Sequence, residues 1–85
     1  MNREKLIKQV KEIYAKLASD ENQQHIMQST AGITPDMYYE NILNMVIREI
    51  NAGTFDSFRS GKEIVDAVTK DKEKWIPDWR QDLLS

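Results

Sequence analysis

The 85-residue sequence contains no cysteine, one histidine, two prolines and three glycines. Without cysteine there is no disulfide framework, no thiolate zinc site and no cysteine nucleophile, so aliphatic and aromatic burial must hold the fold alone. The glycines fall at predicted helix ends, which leaves none for a phosphate-cradling loop or a dinucleotide fingerprint. Long hydrophobic runs are missing as well. The longest apolar run is Met45-Val46-Ile47, far short of the roughly 20 residues of a membrane helix. The start, Met1-Asn2-Arg3-Glu4-Lys5, leads into a pattern interrupted by charge too often for a signal peptide. These absences predict a soluble, cytoplasmic chain forming a single helical domain over residues 1–85. A domain of this size buries only about 60% of the surface its unfolded chain exposes, which leaves little room for both a core and a deep substrate cleft.

What is present is charge, at 31% of residues, with a net value of −2. It is unevenly distributed. Residues 1–19 carry a net +3, residues 20–58 a net −5, and residues 59–85 cancel. A basic start beside an acidic middle bears on partners more than on fold.

The apolar pattern is helical almost throughout, and no segment shows useful strand alternation. Leu6, Ile7, Val10, Ile13, Tyr14 and Leu17 fall within an arc of about 120°, with Lys5, Lys8, Glu12 and Lys16 opposite. Glu4 to Lys8 and Glu12 to Lys16 are i,i+4 pairs in the favoured order. Ile26 lies nearly opposite this stripe, so Ser19-Asp20 is expected to end the first helix and cap a polar segment from Glu21 to about Thr30. Thr34-Pro35-Asp36 reads as a helix start, with Thr34 as N-cap and Pro35 at the first helical position. That helix is predicted over about 35–51, closed by Gly53. Its apolar arc of about 200° requires cover on two sides, which makes it the expected central element. Ser60-Gly61-Lys62-Glu63 matches a capping box, and a helix is expected from Gly61 to about Trp75. Ile76 precedes Pro77, which predicts a corner. Residues from Pro77 to Leu84 can form a last short helix. The expected fold is all-α: a compact bundle of four to five helices around a central long helix.

No arrangement of side chains points to catalysis. Glu21, His25 and Ser29 share one predicted helical face, but side chains on a straight face do not converge on a reacting atom. Glu21 and His25 supply two ligands where zinc needs three or four from the protein. Asp36 with Glu40, and Asp78 with Asp82, are i,i+4 carboxylate pairs at helix starts, where the dipole favours acids in any case. The expectation is a non-enzymatic protein without cofactor or metal.

Two surfaces stand out instead. Tyr38, Tyr39 and Glu40, flanked by Asp36, combine aromatic area with carboxylates that would select a basic protein partner. Trp75 and Trp79 concentrate both tryptophans in the last eleven residues. They either fold back to seal the core or leave an apolar patch suited to a partner or a homodimer. Glu49, inside the apolar arc, belongs at the open end of the bundle or beside a basic residue such as Arg80. Lys5, Lys8, Lys11 and Lys16 could touch phosphates, but a pI near 5.3 makes nucleic acid an improbable partner.

The stretch Asp36-Met37-Tyr38-Tyr39, together with the size, acidity and helical content, resembles the small helical bacteriocin immunity proteins, which neutralise a toxin by binding it. The spacing departs from the colicin-type members, whose paired tyrosines lie on a short helix followed by proline, whereas Glu40 here continues a long one. The leading expectation is therefore protein–protein contact through Asp36, Tyr38, Tyr39, Glu40, Trp75 and Trp79. An immunity or antitoxin-like inhibitor of a basic toxin is the alternative, followed by a nucleic-acid-associated regulator.

Overall fold

The computed structural model describes residues 3–24, 35–77 and 79. They form α1 (Arg3–Gln24), α2 (Pro35–Asn51), α3 (Gly61–Lys70) and α4 (Lys72–Trp75), with no strand among the described residues. The fold is all-α. Its radius of gyration of 12.8 Å is close to the about 12 Å expected of a compact chain this long.

The stripe on α1 behaves as its spacing predicts: Leu6, Val10 and Tyr14 are buried, joined by Ala18 one turn on. The helix does not end at Ser19-Asp20. It continues to Gln24, because nothing between Arg3 and Gln24 removes an N–H donor or forces a left-handed residue, and Ser and Asp are tolerated within a helix at modest cost. The expected segment beyond residue 24, His25, Ile26 and the Thr34 cap lie outside the described residues.

α2 starts at Pro35 as expected and buries Ile42, Met45, Val46 and Ile50. Helix packing centres on α1, which lies against both α2 and α3, so the two long helices share the central place that periodicity gave to residues 35–51. α2 is closed by Gly53 at φ +93°. Gly53 N–H donates to the Ile50 carbonyl at 3.1 Å and Thr54 N–H to the Glu49 carbonyl at 3.0 Å, the paired bonds of a Schellman motif. Where that motif usually makes an apolar contact, Thr54 Oγ1 donates to Glu49 Oε1 at 2.8 Å. This accounts for an acid in the apolar arc: Glu49 is half-buried at the helix end, held by Thr54 and by Arg48 at 3.5 Å. Arg80 lies outside the described residues.

Arg3 fastens the start of α1 to this same corner. Its Nε and Nη2 donate to Asp56 Oδ1 and Oδ2 at 3.0 and 2.8 Å, and its Nη1 donates to the Asn51 carbonyl at 3.2 Å. That carbonyl is one of those a helix C-terminus leaves without an intrahelical partner, and a cation suits the negative dipole end. The bidentate bond from Arg3 holds the Asp56 carboxyl below its ordinary pKa and raises that of the guanidinium.

Ser60 caps α3, its hydroxyl accepting from Glu63 N–H at 3.3 Å. Glu63 in turn accepts from Arg59 N–H at 3.0 Å, one residue short of the usual capping-box partner. The helix does not reach Trp75. It breaks at Asp71, whose carboxylate accepts from Lys74 N–H at 3.1 Å. Aspartate competes for nearby amides and thereby favours a new helix start over a helix interior. Ile76, before Pro77, leaves the helical region at φ −138° and ψ 67° and is fully buried, so the expected corner also drives an anchor into the core.

Candidate functional site

The first turns of α2 expose Asp36, Met37 and Glu40 and leave Tyr38 and Tyr39 half-buried. Consecutive tyrosines on a helix diverge by about 100°, so each ring finds a different neighbour. Tyr39 packs beside Tyr14 of α1, with centroids 5.9 Å apart. Tyr38 meets Trp79 edge-on, at 6.5 Å and 89°. The two tyrosines also meet each other at 5.1 Å and 76°. Such T-shaped pairs contribute about 0.5–1.5 kcal/mol each beyond burial. The two candidate patches of the sequence therefore touch: Trp79 comes back to the Tyr38 edge of α2, with Lys72 Nζ 5.4 Å from its ring centroid.

Trp75 belongs to a different set of contacts. Its ring lies against Phe55 at 5.3 Å, tilted by 32°, and meets Phe58 edge-on at 5.4 Å, and Lys74 Nζ lies 4.7 Å from its ring centroid. The connector aromatics Phe55 and Phe58 close that corner. Both tryptophans are half-buried against the core. Their fold-back is consistent with the need of so small a domain for large buried side chains.

Between α1 and α2 runs a cleft of about 100 Å³ bordered by Lys11, Tyr14, Ala15, Tyr39, Glu40 and Leu43. Tyr14 is 3% exposed, and its hydroxyl is buried with no hydrogen-bond partner among the described residues. Burial, with a smaller effect from Tyr38, raises its pKa.

Among the described residues no three His, Cys, Asp or Glu side chains gather as a metal site. Asp36 and Glu40 stand exposed on the α2 surface. Of the Glu21, His25 and Ser29 line, His25 and Ser29 lie outside the described residues, as do Asp78 and Asp82. Lys5, Lys8, Lys11 and Lys16 are all exposed on α1, but Lys11 borders α2 and Lys16 borders α3. They lie within an arc of about 140° on the face opposite the apolar stripe, with Glu4 and Glu12 interleaved among them. No described helix is long and apolar enough to cross a membrane.

Sequence reading missed Met37 as part of this surface; it is 51% exposed, and its position between Asp36 and Tyr38, off the apolar arc, is the signal that would have found it. Lys72 and Lys74 over the two indoles were also missed, because the break at Asp71 sets where they point. No protein-family model matches the chain, and no curated protein or solved structure is significantly similar to it.

Proposed function

We propose that the protein is a non-enzymatic binding module that recognises another protein through the edge of α2 carrying Asp36, Met37, Tyr38, Tyr39 and Glu40, extended by Trp79. One observation carries this reading: the half-buried rings of Tyr39, Tyr38 and Trp79 form a continuous edge-to-face series beside an exposed methionine and two exposed carboxylates. Aromatic side chains and methionine are enriched at protein contacts, and rings already held by their neighbours lose little entropy when a partner covers them. Asp36 and Glu40 favour a partner that is basic where it meets α2. Trp75 faces Phe55 and Phe58 and contributes by holding the α4 corner.

The test is affinity capture from the native host with the wild-type chain and with Tyr38→Ala. The reading expects a defined partner retained by the wild type and lost by the variant. Equal capture by both would refute it. Salt adds a second arm: a basic partner should be released steeply as ionic strength rises, whereas an apolar contact should not.

A further inference from the structure

The two exposed carboxylates of the α2 edge border one cleft. Asp36 and Glu40 are a helical turn apart, about 5–6 Å between Cβ atoms, and both line the space of about 100 Å³ between α1 and α2. The rest of its wall is largely apolar. Ala15 and Ala18 line it from α1, and their short side chains leave a gap that Leu43 and the half-buried ring of Tyr39 do not fill. Among the described residues Lys11 is the one cation on its border, so a single lysine stands against two carboxylates.

A partner's side chain entering this cleft meets two surroundings at once. Its stem lies against methyl and aromatic surface while its end lies beside carboxylates, which calls for an aliphatic chain ending in a cation. An acidic side chain would meet Lys11 and be repelled by both Asp36 and Glu40. Of the two cationic side chains, arginine suits the cleft better. Its guanidinium is flat and weakly hydrated, packs on an aromatic face such as that of Tyr39, and carries enough donors to serve two carboxylates. The ammonium of lysine is compact and holds its water.

We infer that the α1–α2 cleft receives an arginine side chain of the protein partner, its stem against Ala15, Tyr39 and Leu43 and its guanidinium beside Asp36 and Glu40. The inference rests on the α2 edge as the contact surface. It adds Ala15 of α1 to the residues that decide which partner binds.

Titration of the isotope-labelled full chain with N-acetyl-arginine methylamide, followed by nuclear magnetic resonance at constant ionic strength up to about 50 mM, tests this without the partner. Saturable amide shifts should centre on Ala15, Tyr39 and Leu43. The citrulline analogue has the same shape without the charge, and its shifts should be at least about fivefold smaller at equal concentration. Ala15→Leu fills the cleft from an exposed position and should abolish the response, while Glu40→Gln should weaken binding about threefold. Helical circular dichroism on both variants confirms an intact fold. Scattered or absent shifts, equal shifts with citrulline, or an unchanged response in either variant would each overturn the inference. The two readings fail separately. Capture lost in Tyr38→Ala with no arginine response removes the cleft alone, whereas an arginine response with capture unaffected by Tyr38→Ala removes the edge and leaves the cleft an arginine site.

Discussion

Gln9 and Gly61 form the joint between α1 and α3: Gln9 Oε1 accepts from Gly61 N–H at 2.6 Å, and Gln9 Cβ lies 2.5 Å from where a Cβ on residue 61 would stand. The first amides of a helix have no intrahelical acceptor, and here one of them is satisfied across the core by a side chain 52 residues away in sequence. The backbone amide nitrogen of Val10 would also be 3.0 Å from the added carbon, and backbone yields less readily than a side chain.

Gly61→Ala should therefore destabilise the fold by about 2 kcal/mol, since extra volume in a closed contact forces backbone shifts. Gln9→Ala should cost about 1 kcal/mol by stranding the Gly61 amide. Because alanine retains a Cβ at position 9, the double variant should not recover the loss at Gly61. Urea denaturation of the three variants gives the values. Wild-type stability in Gly61→Ala would contradict the close approach.

Tyr14→Phe should stabilise the protein. The ring packing against Tyr39 survives, while a buried hydroxyl without a partner among the described residues is removed, a gain of about 1 kcal/mol or a melting temperature higher by about 4–8 °C. The same burial raises the tyrosine pKa above its ordinary value near 10, so its contribution is complete below about pH 10 and is lost as pH rises through the folded value. Wild-type stability should fall in alkali more steeply than that of Tyr14→Phe. Destabilisation by this substitution would mean that the hydroxyl has a partner.

The Arg3 to Asp56 bridge predicts the opposite pH dependence. With the folded pKa of Asp56 depressed, the stabilisation is present above about pH 4 and is lost as pH falls through the folded value. Asp56→Asn should melt below the wild type at neutral pH, and the gap should close in acid. A gap independent of pH would remove the bridge from the account.

Asp71→Ala removes the N-cap of α4 and costs about 1 kcal/mol. With alanine at the break, α3 and α4 are freer to join, which would pull Trp75 from Phe55. A red shift in tryptophan emission alongside raised helicity is the expected signature, and unchanged emission would contradict it.

The patterns legible in the sequence are those set locally. The α1 stripe, Pro35 at a helix start, the Ser60 cap, the Gly53 closure and the corner at Ile76 all follow from periodicity or from the backbone limits of single residues. The misreadings at Ser19-Asp20 and at Asp71 share a physical source: serine and aspartate serve both as caps and as tolerated interior residues, and tertiary packing decides between the roles. The contacts of Arg3 with Asp56 and of Gln9 with Gly61 span more than fifty residues and leave no local trace. In the candidate site, Tyr38, Tyr39 and the tryptophans were visible as residue types. The meeting of Tyr38 with Trp79 depends on the turn at Ile76, and no pattern within α2 encodes it.

The central claim is recognition of a protein partner by the acidic, aromatic edge of α2, and titration of the captured partner by calorimetry, comparing the wild-type chain with Glu40→Lys, tests it most directly. Glu40 is exposed on α2, so the substitution reverses a charge without disturbing the core. Binding to Glu40→Lys should be at least about tenfold weaker and should depend less steeply on salt. Identical affinity and salt dependence in the two proteins would contradict it.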